Sequence, residues 1–268
     1  MALRSEIETT LRDWLAVDRF EDYGPNGLQV EGRAEVRRIV SGVTASLAFI
    51  DAAIDARADA VLVHHGLFWR GQDGRLTGWL RERVARLMAH DINLFAYHLP
   101  LDAHPELGNN AQLGKRLGLR ADATFGKQGL GFIGAAAEGP NRANARNAPN
   151  MINALDTPDT LDGLAARIHH ALQRQPLVLA GDGRPLRRIG WCTGGAQGYF
   201  EDAIAAGADA FITGEVSEPQ AHLARETGVA FLACGHHATE RFGAPAVAAQ
   251  LAQHFSLEHQ FIDIENPA

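Results

Sequence analysis

Cysteine is almost absent from this chain: Cys192 and Cys234 are the two found in 268 residues. That excludes a disulfide framework and points to a reducing cytosol. Long apolar runs are missing too, so no segment reaches the length of a membrane-spanning helix. The opening residues Met1–Glu6 lack the apolar core of a signal peptide, which again favours a cytoplasmic protein without a membrane partner. Positive charge is scarce: 25 Lys and Arg against 32 Asp and Glu leave a formal net charge of −7. That balance makes nucleic acid an unlikely ligand through phosphate neutralisation. What remains is a hydrophobic content of 46% and a charged content of 21%, typical of a globular chain with a sizeable core. Twelve histidines are the compositional oddity, and their clustering matters more than their number.

The first cluster closes the stretch Ala60-Val61-Leu62-Val63-His64-His65-Gly66-Leu67-Phe68-Trp69. A short apolar run ending in a turn residue reads as a buried strand. Neighbouring strand side chains normally diverge, but at the last residues, with Gly66 free to turn, both imidazoles can edge one cleft. The pair is either a metal-binding pair or two hydrogen-bonded core histidines.

Along the chain, Ser5 and Glu8 form an S-x-x-E capping box before a helix carrying Ile7, Leu11, Trp14 and Leu15. Tyr23-Gly24-Pro25-Asn26-Gly27 is a loop, followed by an extended piece over 28–32. A strand over 39–43, a helix over 45–56 and the strand ending at His65 make a strand–helix–strand unit of a parallel α/β sheet. A helix over 80–90, a strand over 92–97 and a helix from 110 follow. Composition then shifts to Asn, Ala and Pro between 139 and 160, a length that suits a linker or flap. A helix over 161–173 and strands over 177–180 and 188–192 restart the pattern.

Residues 39–65 and 189–215 align without gaps at an offset of 150, matching Ile39 with Ile189 and Ala58-Asp59-Ala60 with Ala208-Asp209-Ala210. His98-Leu99-Pro100-Leu101-Asp102 and His236-His237-Ala238-Thr239-Glu240 each follow an apolar run with His-x-x-x-acid. The expected architecture is therefore a pair of duplicated α/β repeats with mixed, largely parallel sheets. The metal site is expected in the cleft between them, at the carboxyl ends of strands. Expected boundaries are 1–130 for the first repeat, 131–160 for a linker or flap and 161–268 for the second repeat.

Three strand ends carry candidate ligands: His64 and His65; His98 and Asp102; His236, His237 and Glu240. Imidazole and carboxylate without thiolate suit zinc, iron, manganese or cobalt, and the set is large enough for two ions. At this point Tyr23–Gly32, Val63–Trp69, His98–Ala103 with Gly108-Asn109-Asn110, and Gly235–Arg241 together resemble the signatures of the Nif-three-like dinuclear metal centre family. Bacterial members of that family are commonly named GTP cyclohydrolase I type 2 homologues. The resemblance spans nearly the whole chain. It implies a duplicated α/β fold, a homohexameric ring and two divalent metal ions per subunit. Carried over to this chain, the ligands fall on His64, His65, Asp102, His236 and Glu240, with Glu240 as the bridge. His98 is not a ligand in that pattern and is expected beside the ligands or in proton transfer. His237 stands where the family often has tyrosine, and nothing in the family matches Pro140–Asn150.

The remaining features weigh less. Thr193-Gly194-Gly195-Ala196 either offers backbone amides to an anion or is an ordinary turn. Glu215 takes the place of His65 in the second repeat and is a polar wall of the cleft. His169-His170 reads as a solvated helix face, and Phe68, Trp69 and Trp79 as core or subunit contacts. Two functions follow. One is a metal-dependent hydrolase acting on a nucleotide-like or phosphorylated small molecule. The other is a non-catalytic, ring-forming adaptor or metal-trafficking protein.

Overall fold

A computed structural model describes residues 1–136 and 160–268. Its contacts divide the chain into two compact units that interleave in sequence. The first comprises Met1–Asn109 and Arg241–Glu265, and the second Asn110–Glu240 and Asn266–Ala268. Composition predicts consecutive blocks; the difference has a physical origin in the first unit's sheet.

That sheet has five strands in the order Glu258–Phe261, Arg38–Thr44, Ala60–His65, Asn93–Ala96, Gly27–Val30. The first four run parallel and Gly27–Val30 closes the far edge antiparallel. Along Ala60–His65 the side chains alternate between two cores. Val61 and Val63 join Phe49, Ile50, Leu87 and Leu94 on one face, under helices Leu47–Asp55 and Gly78–Ala89. Ala60 and Leu62 join Ile7, Leu11, Ile39 and Phe95 on the other, under helices Arg4–Trp14 and Gly243–Phe255. A sheet buried on both faces explains why Ala60–Val63 reads as an unbroken apolar run. It also explains the interleaving: Val247, Ala248 and Leu251 return to cover the second face, and Glu258–Phe261 extends the sheet.

The second unit has a six-stranded sheet in the order Leu119–Phe125, Gly131–Ala136, Ile189–Trp191, Ala210–Thr213, Ala230–Ala233, Leu177–Leu179. Three central strands are parallel, and antiparallel neighbours flank them. Phe200, Phe211 and Phe231 pack with ring centroids 5.0–6.0 Å apart.

Each unit carries the repeat in its backbone. Ile39 pairs with Ala60, and Ile189 with Ala210, at the offset of 150 read from the sequence. Asp59 Oδ2 accepts from the N–H groups of Arg37 and Arg38 at 2.8 and 3.0 Å, and Asp209 Oδ2 from those of Arg187 and Arg188 at 2.9 and 3.0 Å. Both copies turn from helix to strand through a left-handed residue, Arg57 at φ 55° and Gly207 at φ 84°.

Three local expectations change. The first helix starts at Arg4, because Ala2–Leu3 pairs with Glu35–Val36 and sets Leu3 at the cap. Glu6, rather than Glu8, then accepts the Leu3 N–H at 2.9 Å. Residues 131–136, expected to open a linker, form a strand bonded on both sides. The rest of that segment up to 159, including Pro140–Asn150, lies outside the described residues. Finally, the strand registers match Tyr97 to Cys234, whose N–H groups bond to Val63 and Thr213. The second His-x-x-x-acid motif therefore carries one extra residue, Gly235 at φ 96°.

Candidate metal centre

In the first unit, His64 is fully buried at the end of its strand, and its Nδ1 donates to the Tyr97 carbonyl at 3.0 Å. A carbonyl only accepts, so the proton sits on Nδ1 and Nε2 presents its lone pair. That lone pair lies 3.5 Å from Asp102 Oδ1. The His65 ring is 4.5 Å from that of His64, centre to centre, with its Nδ1 3.0 Å from the Thr44 hydroxyl. The adjacent histidines thus share one end of the strand, and the turn that permits it is pinned. Gln29 accepts the Leu67 N–H at 2.8 Å and donates to the Pro25 carbonyl at 2.8 Å, and a Cβ on Gly66 would overlap its side chain. Asp102 is held in turn by Asn109 Nδ2 at 2.9 Å, whose Oδ1 accepts the Gly243 N–H at 2.7 Å.

His98 joins this group from the strand Asn93–Ala96. Its ring lies 5.0 Å from that of His64 and 5.8 Å from that of His65. One ring nitrogen from each of the three lies within 4.8 Å of the others. His98 Nδ1 is 2.7 Å from Asp22 Oδ1. Burial alone would raise the Asp22 pKa. The hydrogen bonds from His98, Asn26 and the Tyr23 N–H override it and hold the acid at about 2.

In the second unit, His236 and Glu240 lie one helical turn apart in the helix His236–Glu240, with Nε2 3.2 Å from Oε2. His236 Nδ1 is 2.7 Å from Glu215 Oε1. Without a metal the imidazole pKa is raised to about 9. The bond to Glu240 is the largest cause, burial opposes it, and Glu215 adds to it. Glu240 is almost wholly buried under the turn at Gly194, whose φ of 71° and close approach exclude a Cβ. Three amides of that turn are spent internally. Thr193 N–H goes to Asn110, Gly194 N–H to Thr239 and Ala196 N–H to Thr213, at 2.9, 3.0 and 3.3 Å. Those three amides are committed to holding the turn.

Both units offer what a borderline divalent ion takes: imidazole rings held at Nδ1, with Nε2 next to carboxylates. Thiolate is not among the donors, since burial pushes the Cys234 thiol up to about 12. His237 is buried in the second unit and is absent from the converging His–carboxylate groups among the described residues. His169 and His170 are exposed, as expected of a solvated face. Phe68 packs on the core, whereas Trp79 is exposed beneath the Arg83 guanidinium at 4.8 Å. Sequence reading missed Asp22, quoted Asn109 within the Gly108-Asn109-Asn110 signature without giving it a role, and gave Glu215 a passive role. Each acts by bonding to a site residue. No helix among the described residues is long and apolar enough to cross a membrane.

The chain has relatives along its whole length. A protein of Neisseria meningitidis serogroup A named GTP cyclohydrolase 1 type 2 homolog is 48% identical over all of both chains. One of the same name from Pseudomonas aeruginosa is 49% identical over 100% of this chain and 99% of its own. Among solved structures, protein ybgI, described as of unknown function, matches with a TM-score of 0.87 and 43% identity over 100% of both chains. TTHA1606 from Thermus thermophilus matches with a TM-score of 0.85 and 32% identity, also over 100% of both. The family model for Duf34/NIF3 (NGG1p interacting factor 3) matches residues 2–267, and the chain belongs to that family.

Proposed function

We propose that this protein binds two divalent metal ions through His64, His65, Asp102, His236 and Glu240, and uses them to hydrolyse a nucleotide-like or phosphorylated small molecule. The observation that carries the reading is the orientation in which the His64 and His236 rings are held. Each has Nδ1 committed to an oxygen and Nε2 turned to a carboxylate, the state a metal ligand needs. Glu240 is the bridge in this scheme, because a carboxylate has two oxygens to share and an imidazole has one lone pair. The ions, when bound, would supply an activated nucleophile and charge neutralisation at the substrate oxygen. The chain's own part is to hold the donors. Asn109 orients Asp102, Glu215 orients His236, and the Gly194 turn covers Glu240.

Zinc, iron, manganese and cobalt all suit this donor set. The printed name of the curated relatives supports a purine nucleotide such as GTP as the first substrate to try. A homohexameric ring in the cytoplasm is the assembly that goes with this reading. The test is metal analysis of purified protein together with a turnover panel of nucleotides, pterins and phosphoesters. Two ions per chain, and turnover lost in Glu240→Gln, are expected. Tight metal binding without turnover of any panel member, in a sample that captures a protein partner, would favour the adaptor or metal-trafficking role instead.

A further inference from the structure

The loop before Gly24 holds a carboxylate that the proposed ligand set does not use. Asp22 has a side-chain exposure of 3%, and both of its oxygens are occupied. Oδ1 accepts from His98 Nδ1 at 2.7 Å and from the Tyr23 N–H at 2.6 Å; Oδ2 accepts from the Leu99 N–H and from Asn26 Nδ2, each at 2.9 Å. Asn26 Oδ1 then accepts the backbone N–H of His98 at 2.7 Å. A histidine gripped at Nδ1 by an ionised carboxylate, and at its own backbone by an asparagine, has one ring orientation and one neutral tautomer. Its Nε2 is left as an acceptor. Trp69 stands edge-on to the same ring at 5.0 Å and limits its rotation.

The second unit repeats the device with different parts. His236, which opens the other His-x-x-x-acid motif, donates its Nδ1 proton to Glu215 over the same 2.7 Å. Glu215 follows the strand Ala210–Thr213, whereas Asp22 comes from the N-terminal loop. Two carboxylates from different places thus hold the Nδ1 proton of the two motif histidines, an outcome that core packing alone does not require.

The geometry points to Asp22 as the positioning residue that fixes His98 with its acceptor Nε2 toward His64 and His65. There His98 accepts a hydrogen bond from a protic ligand, a water or a substrate O–H or N–H, without binding an ion itself. The inference rests on the metal reading only for the identity of His64 and His65 as ligands.

The test is a side-chain nitrogen–proton correlation spectrum of the full chain labelled with nitrogen-15 histidine. It is recorded metal-free and zinc-loaded, well above the ordinary histidine pKa of ~6.5, with His98 assigned from His98→Gln. The Nδ1–H pattern is expected for His98 in both states. Asp22→Asn should convert it to the Nε2–H pattern, Asp22→Glu should restore it, and Asp22→Asn and His98→Gln should keep the wild-type zinc stoichiometry. An Nε2–H pattern in the wild type, or no change in Asp22→Asn, overturns the assignment. Loss of one zinc per chain in His98→Gln overturns it as well, by making His98 a ligand. If Asp22→Asn does not fold, the wild-type spectrum alone decides. Failure of the wild type to take up zinc would sink the metal reading, while the metal-free spectrum still decides the role of Asp22.

Discussion

His236 shows at residue scale how metal uptake and protonation compete. Its pKa in the metal-free protein is raised from 6.5 to about 9, so at neutral pH it holds a proton shared with Glu240 and Glu215. A metal ion must displace that proton. Apparent affinity should therefore climb about tenfold per pH unit between 6.5 and 9 and level off above, as read by chelator competition. The sign for folding is opposite. The stability that the protonated imidazole lends the metal-free protein is complete below pH 6.5 and is lost as pH rises through about 9. Glu215→Gln removes the charged acceptor at Nδ1, and a loss of metal affinity of about 10–100-fold is expected in the same assay. The residues proposed to hold metal stand out in the sequence because their types announce the chemistry. Asp22 does not, and Asn109 does so only as part of a motif without a role, because a carboxylate or an amide that serves another side chain looks like any other polar residue until the chain is folded.

Elements supply the placement. The strand Ala60–His65 delivers both histidines to one end because Gly66 turns against Gln29, and the same tight turning recurs where Gly194 covers Glu240. Gly194→Ala pushes a methyl group into that carboxylate from a left-handed backbone position. A stability loss of about 1–3 kcal/mol is expected from strain of this kind, visible as a lowered denaturant midpoint. Arg57→Gly is the opposite experiment. It places at φ 55° the residue the second repeat already uses, and a gain of up to about 1 kcal/mol is expected. Element type was readable from apolar runs and the 150-residue offset, since alternation and helical spacing are local. The strand Gly131–Ala136 was not, because its pairing on both sides comes from distant segments and its small residues carry little periodic signal.

At the scale of the whole molecule, the sequence predicted duplication and missed its threading. Nothing local in Gly243–Phe255 says which sheet it covers; the deciding fact is that Ile39, Leu62 and Phe95 need an apolar lid. A fragment limited to residues 1–109 keeps the helix Arg4–Trp14 on that face but loses the part covered by Val247, Ala248 and Leu251, and should fail to give a cooperative melt. Joining 241–265 to it by a flexible linker should restore one, by circular dichroism. A cut near residue 130, where composition alone puts a boundary, should yield no stable half.

The interleaving also sets a clock on the ribosome. The strand bearing His64 and His65 is made early, but the helix that covers its inner face is among the last segments to emerge. At about 5–20 residues per second, the nascent first unit waits on the order of ten seconds for Val247 and Leu251. During that interval the histidines are already made, while Asp102's partner Asn109 is not yet anchored to Gly243. On the proposed reading, metal selection is a matter of timing as well as affinity, because the donors of the first unit reach their final setting only after the closing helix arrives.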